Sequence, residues 1–301
     1  MNESSAELLG LTRLRHPHYL RKVAAGVVVL VLAFWIQGLA RNKALDWTTV
    51  GQYLFSSAVL QGLQRTLIIT VISIAIAIVL GAMLANMRLS KNPVLRGTSW
   101  LYIWFFRSIP LLVLLIIAYN FSLLYPRLGL GVPFGGELFS VNVQQAFSPL
   151  SAAIVAFGLQ QAAYTSEVIR ASIQSVPAGQ REAATALGMT KTRTLLRIVF
   201  PQALRVAVPP IANETINLLK STSLVAFISV PDLLYSVQQV YASTFQVMPL
   251  LVVASLWYML IVSILTILQY FIEARLRKLP GQSARQRPEL APDHLEGMEA
   301  A

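Results

Sequence analysis

Two sets of polar residues fall at helical spacing inside otherwise apolar stretches. Asn213, Asn217, Lys220 and Ser221 recur at i, i+4, i+7 and i+8, and Gln160, Tyr164 and Glu167 recur at i, i+4 and i+7. At 3.6 residues per turn, each set shares one helix face. Two such faces could line a path for a polar solute. A zwitterionic solute would need a cationic partner for its carboxylate and an acceptor for its amine. The plainer alternative is that these side chains bond neighbouring helices, with Glu167 pairing with Arg170. Arg107 could snorkel its guanidinium to the membrane surface, a structural role. Metal and redox chemistry have little to work with. The chain has no cysteine, and His16, His18 and His294 all lie in polar tails. No G-x-x-x-x-G-K-[ST] phosphate loop and no nucleophile–base pair is present, so the chain is not expected to be an enzyme or to hold ATP itself.

A second signal lies between the two faces. Residues 170–205 form a connection too long for an idle loop. Within it Pro177 suits a first helical turn, and Gln180 to Leu187 is rich in helix formers. Gly188 fits the position just past a helix end, where a left-handed backbone is cheap only for glycine. Thr190 reads as the N-cap of a second helix ending near Pro201. Glu182 offers a charge to a partner cation, and the small residues Ala183, Ala184 and Ala186 would let a partner's surface approach closely.

The elements that must position these residues are membrane helices. The 301 residues are 55% hydrophobic and only 12% charged, about half the charge usual in a soluble domain. Six apolar blocks approach the roughly 20 residues that cross a bilayer: 23–40, 66–87, 100–125, 150–169, 206–230 and 249–272. The first is longer than a signal-peptide core and lacks an A-x-A cleavage site, so it reads as a retained span. Pro110 is expected to kink the third.

Lysines and arginines set the orientation. Arg13, Arg15, Arg21, Lys22, Arg88, Lys91, Arg96, Arg170, Arg181, Lys191, Arg193, Arg197, Arg205, Arg275, Arg277, Lys278, Arg285 and Arg287 fall on one side, which makes 18. Arg41, Lys43, Arg65 and Arg127 fall on the other, which makes four. This places both termini and the 170–205 loop in the cytoplasm. It also makes the net charge of +11 a topology signature rather than a nucleic-acid footprint. The expected organisation is a cytoplasmic tail (1–22), an extra transmembrane helix (23–40), an external amphipathic connection (41–61), a core (62–278) and a disordered cytoplasmic tail (279–301). Residues 126–148, rich in glycine and proline, read as a structured external loop. No internal or inverted repeat is evident.

Glu182-Ala183-Ala184, three residues, Gly188, nine residues, then Ile198-Val199-Phe200-Pro201 resembles the EAA loop of permease subunits in binding-protein-dependent ABC importers. That family usually carries leucine where Phe200 stands. Further matches are Gly62-Leu63, Thr66-Leu67, Ala85 to Ser90, Phe106 to Leu112, Tyr164 to Arg170, Pro177 to Gly188 and Asn217 to Leu224. Together they resemble the polar amino-acid branch, the histidine, glutamine and glutamate importers, over roughly residues 50–278.

The resemblance implies an all-α integral membrane fold: a five-span permease core plus one extra N-terminal span, six transmembrane helices in all, in a bacterial cytoplasmic (inner) membrane. It implies that Glu182, Ala183, Ala184 and Gly188 belong to a helix docking on an ATP-binding subunit dimer, which would hold the ATP and magnesium. It further implies a second permease, identical or sister, an extracytoplasmic solute-binding protein, and a polar amino acid as cargo. Asn217, Lys220, Asn213, Glu167 and Tyr164 are the candidate substrate-path residues. The rival readings are a stand-alone secondary transporter or channel, and a non-transporting scaffold or receptor.

Overall fold

The structure is a computed structural model that describes residues 19–131, 137–142 and 148–277. The tails carrying His16, His18 and His294, and the loop residues Pro133, Gly135 and Gly136, lie outside the described residues.

The first apolar block forms α1 (Tyr19–Arg41). None of its residues from Lys22 to Arg41 is buried, and its C-terminal end is tied down where the Trp47 Nε1 donates to the Ala40 carbonyl at 3.1 Å. The amphipathic connection folds as α2 (Trp47–Leu54), capped by Asp46. The Asp46 carboxylate accepts from the Thr49 hydroxyl at 2.5 Å, which holds its carboxyl below the usual carboxylate range.

Next comes α3 (Ser57–Leu89), 33 residues long. It is followed by α4 (Pro93–Ser108), which starts on an Asn92 cap with proline at its first turn. The chain then breaks. Pro110 carries no N–H and clashes with a preceding helical turn, so α5 (Leu111–Tyr119) leaves α4 at 100°. The expected third span, 100–125, is therefore a broken pair of helices rather than one kinked helix. After α6 (Phe121–Leu124), the glycine-rich loop contributes an antiparallel hairpin, β1 (Arg127–Gly131) with β2 (Glu137–Asn142). That hairpin departs from a purely helical description.

α7 (Pro149–Gln174) runs 26 residues, about 39 Å at 1.5 Å per residue. The loop beyond it holds α8 (Ala178–Ala186), α9 (Lys191–Thr194) and a π-turn at Leu195–Val199. α10 (Phe200–Ser221) continues into a 3₁₀ segment, Thr222–Ile228. α11 (Leu233–Thr244) and α12 (Val247–Arg277) complete the described chain.

Among the described residues, four helical stretches are long and apolar enough to cross a membrane, and the broken α4–α5 pair makes a fifth. The block expected to supply the remaining span, 150–169, lies in α7, which has the length but fails on apolarity. Its polar residues Gln160, Gln161, Thr165 and Ser166 are instead buried against protein.

Packing is organised in tiers along α3. A cluster at its N-terminal end joins Val50, Val59, Leu233, Val237, Leu250, Val253 and Ala254. A central cluster joins Ile69, Leu114, Leu115, Phe157, Leu218 and Val225, among others. Ala77, Leu84 and Ala162 close the far end. Lipid cannot drive helices together through the hydrophobic effect, so close approach of small residues has to do much of that work. Gly62 is the tightest such approach: a Cβ there would stand 2.6 Å from the Asp232 carbonyl and 2.5 Å from the Ser236 Oγ.

Gly62→Val is expected to destabilise the protein by about 1–3 kcal/mol through overpacking. Gly51→Ala, where a Cβ meets nothing within 4 Å, is the control. Thermal unfolding in detergent checks this: the midpoint should fall for Gly62→Val and stay within a degree or two for Gly51→Ala.

Candidate functional site: an intramembrane polar pocket and a projecting helix

The α4–α5 break frees backbone carbonyls inside the apolar region, where each unpaired group is costly. The Gln160 Nε2 answers this, donating to Ile109 O at 2.9 Å and Phe106 O at 3.3 Å. With the break held in place, α5 lies against α7 and the 3₁₀ segment that follows α10, and a cavity of about 190 Å³ is lined by residues of α5, α7 and α10. Its walls are Leu111 from α5, then Phe157, Gln160, Gln161 and Tyr164 from α7, then Glu214, Asn217, Leu218 and Ser221 from α10.

Of the candidate path residues, the structure brings Tyr164 and Asn217 together here, beside Gln160 and Ser221. It places the others elsewhere. Asn213 is exposed, and its Oδ1 accepts from Gln269 Nε2 of α12 at 3.3 Å. Lys220 is exposed and does not line the cavity. Glu167 forms an ion pair with Arg170 at 2.6 Å, the pairing weighed above as its plainer role.

Glu214 is the residue that spacing alone missed. It is half-buried and faces the cavity, where its Oε2 accepts from Gln161 Nε2 at 3.0 Å. The wall-forming face of α10 is Glu214, Asn217 and Ser221, at i, i+3 and i+7, rotated from the face built on Asn213. The available signal was an ionisable group inside a span, opposite the adjacent amides Gln160 and Gln161.

Tyr164 also borders a second, wider cavity of about 470 Å³, lined by Arg88, Trp100, Ile103, Trp104, Arg107, Ser108 and Glu167. The Arg107 guanidinium lies 5.1 Å over the Tyr164 ring, a cation–π geometry. Trp100 and Trp104 stack with centroids 6.3 Å apart. Arg107 is thus fixed by an aromatic face of the wall.

The 170–205 loop forms the two expected helices, but the second does not end near Pro201: it passes through the π-turn into α10. Met189 N donates to Ala184 O at 3.0 Å and Gly188 N to Thr185 O at 2.9 Å, with Gly188 at φ +72°. These two bonds make a Schellman cap on α8. Thr190 then caps α9, accepting from Arg193 N. Arg181 Nη2 donates to Ile173 O at 2.6 Å, and Val176, Val199 and Ala203 pack beneath the loop. α8 is thereby joined to the ends of both α7 and α10. Glu182 and Ala183 face outward, whereas Ala184 is buried and belongs to the support. Leu187, 81% exposed, extends the free surface.

Apolar crossing helices, a polar cavity within them, and a helix projecting from the ends of the cavity-forming pair define a membrane-embedded transport subunit. Residues 77–278 match the family described as the binding-protein-dependent transport system inner membrane component, and the chain belongs to that family. It is similar to the arginine transport system permease protein ArgU of Corynebacterium glutamicum, at 40% identity over 88% of this chain and 82% of that protein. It is also similar to the L-cystine transport system permease protein TcyB of Bacillus subtilis, at 35% identity over 80% and 95% respectively. A solved structure of an amino acid ABC transporter with histidines matches with a TM-score of 0.65 and 26% identity, over 77% of this chain and 99% of that one.

Gln160→Leu should strip both carbonyls at the break of their partner and lower stability by roughly 1–3 kcal/mol. Leu187→Ala, on the free surface, should stay within about 0.5 kcal/mol. Denaturation midpoints of the two variants in one detergent check the contrast.

Proposed function

We propose that the chain is the permease subunit of an ATP-driven importer for polar amino acids. It forms part of the substrate path and couples that path to a separate ATPase through α8. One observation carries this reading: the two helices that wall the polar cavity, α7 and α10, are the same two that carry the projecting α8 loop. A push on α8 reaches the cavity along α7, across a three-residue connection that the Arg181–Ile173 bond bridges and Val176 anchors.

In this reading the 18 lysines and arginines mark the cytoplasmic side of a bacterial inner membrane, and both termini lie there. Glu182, Ala183 and Leu187 present the docking face to an ATP-binding subunit, which holds the ATP and magnesium. Gly188 and Ala184 keep the helix in shape. An extracytoplasmic solute-binding protein delivers the amino acid at the opposite end. A second permease, identical or sister, completes the path, and Asn213 and Lys220 would contribute only where that partner closes around them. Asn217, Tyr164, Gln161 and Glu214 supply the polar contacts within this subunit. Relatives named for arginine and cystine transport support amino acids as the cargo. Membership of an importer family speaks against a stand-alone channel.

Reconstituted vesicles test the coupling. Glu182→Lys should weaken ATPase assembly by reversing the charge offered to the partner. Gly188→Val should uncouple hydrolysis from substrate by forcing a β-branched residue to φ +72°. Normal assembly together with normal substrate-stimulated hydrolysis in both variants would remove α8 from the docking role.

A further inference from the structure

The wider cavity, on the other side of Tyr164, is built from residues that the proposed function leaves idle. We infer that it binds the phosphate headgroup of an anionic glycerophospholipid, held by Arg88 and Arg107.

Charge comes first. The guanidiniums of Arg88 and Arg107 both line this cavity, and no ion pair joins either to another described residue. The carboxylate on the same wall, Glu167, is already bonded twice by Arg170, at 2.6 and 3.0 Å, and is neutralised there. The wall is left with two uncompensated positive charges. Arg107 meets the Tyr164 ring at 5.1 Å, a contact that fixes the guanidinium without consuming its N–H donors. A phosphate can accept two parallel bonds from such a fork.

Position comes second. Arg88 is the next-to-last residue of α3. Glu167 lies seven residues before the end of α7 at Gln174, about 10 Å at 1.5 Å per residue. The cavity therefore sits near the membrane face from which α8 projects, at headgroup depth rather than at the bilayer centre. Basic pockets between membrane helices at that depth are where anionic headgroups bind.

The rim decides between a lipid and a free anion. Trp100 and Trp104 stack on each other and stand 51% and 54% exposed, the amphipathic aromatic pair expected at a membrane surface. Ile103, between them in sequence, is buried on the cavity wall. A soluble phosphate would use the arginines and leave these apolar surfaces idle. A phospholipid uses both, with its phosphate on the arginines and its glycerol and upper acyl chain along the tryptophans. The volume of about 470 Å³ falls within the roughly 300–1,000 Å³ usual for small-molecule sites.

Native mass spectrometry of the purified complex of permease with its ATPase, stripped of lipid in detergent, tests this. Phosphatidylglycerol and phosphatidylcholine of identical acyl chains are titrated in turn. The wild-type complex should hold phosphatidylglycerol at least about tenfold more tightly, since each arginine near an anionic group contributes roughly fivefold. Arg88→Gln should cost roughly fivefold, and Arg88→Gln with Arg107→Gln should bring the two lipids within about twofold of each other. Arg107→Lys, which keeps the charge but loses the planar fork, should retain part of the preference. Arg96→Gln, near the same helix ends but off the cavity wall, should leave it unchanged. Assembly with the ATPase checks the folding of every variant, and Arg88→Gln carries the test alone where the Arg107 variants do not assemble.

Equal retention of the two lipids by the wild type would overturn the proposal, as would an unaltered preference in an assembled Arg88→Gln complex. An equal loss in Arg96→Gln would assign the effect to diffuse surface charge and overturn it too. Displacement of phosphatidylglycerol by inorganic phosphate or glycerol phosphate would make the cavity a site for a soluble anion. Exclusion of both lipids from the assembled complex would give the arginines to another partner, such as an acidic side chain of a second permease. Either result would overturn the lipid assignment, and neither would touch the proposed import function.

Discussion

Gln160 does for this bundle what water does for a loop in a soluble protein. Between Ser108 and Leu111 the helix is broken, and the carbonyls it releases have no water to turn to at membrane depth. A single side-chain amide from α7 bonds two of them. Remove that pairing and the 100° turn between α4 and α5 loses its support. With it goes the placement of Leu114 and Leu115 in the central cluster and of Leu111 on the cavity wall. The polar residues of α7 therefore serve two ends. Gln160 satisfies backbone, and its neighbour Gln161 reaches across to Glu214.

From that anchored centre, force has a short route to the loop. α7 runs unbroken from the cavity to Gln174, and α8 begins four residues later at Ala178. The Schellman cap at Gly188, the Thr190 cap and the small cluster under the loop keep α8 from swinging free. Two consecutive prolines, Pro209 and Pro210, sit inside α10 and remove backbone donors below the cavity. The helix that returns from the loop is thus the more deformable of the pair, and α7 is the stiffer lever.

How much of this was legible in the residues follows from what each signal depends on. The αL glycine after α8 and the threonine cap before α9 are legible because those cues are local and need no knowledge of tertiary partners; the burial of Ala184 and the run of the second helix past Pro201 into α10 depend on packing and are not. Apolar blocks marked the membrane helices for the same reason. The 100° break was underread as a kink, because Pro110 predicts a fault but not how far neighbours will let it open. That depended on Gln160, 50 residues away. The polar face of α10 was read one residue out of phase. A helix turns 100° per residue, so Asn213 and Glu214 point to quite different neighbours, and only the position of α7 decides which of them meets the cavity. The helix after the 3₁₀ segment, α11, starts on a local cap, the Asp232 Oδ1 accepting from Tyr235 N at 2.8 Å; what the residues do not show is the second partner, the Tyr258 hydroxyl of α12, which donates to Asp232 Oδ2 at 3.3 Å.

The proposed coupling has one direct consequence: a motor gripping α8 would open the α7–α10 cavity to one side of the membrane at a time. The chain has no cysteine, so Asn217→Cys gives a single thiol on the cavity wall. The decisive measurement is its reaction rate with a membrane-impermeant thiol reagent, applied from each side of reconstituted vesicles containing the assembled transporter, with and without trapped ATP. The account predicts fast labelling from the α8 side without nucleotide, and a switch to labelling from the opposite side when ATP is trapped. Labelling from both sides at once, or rates from each side that ignore the nucleotide, would contradict it.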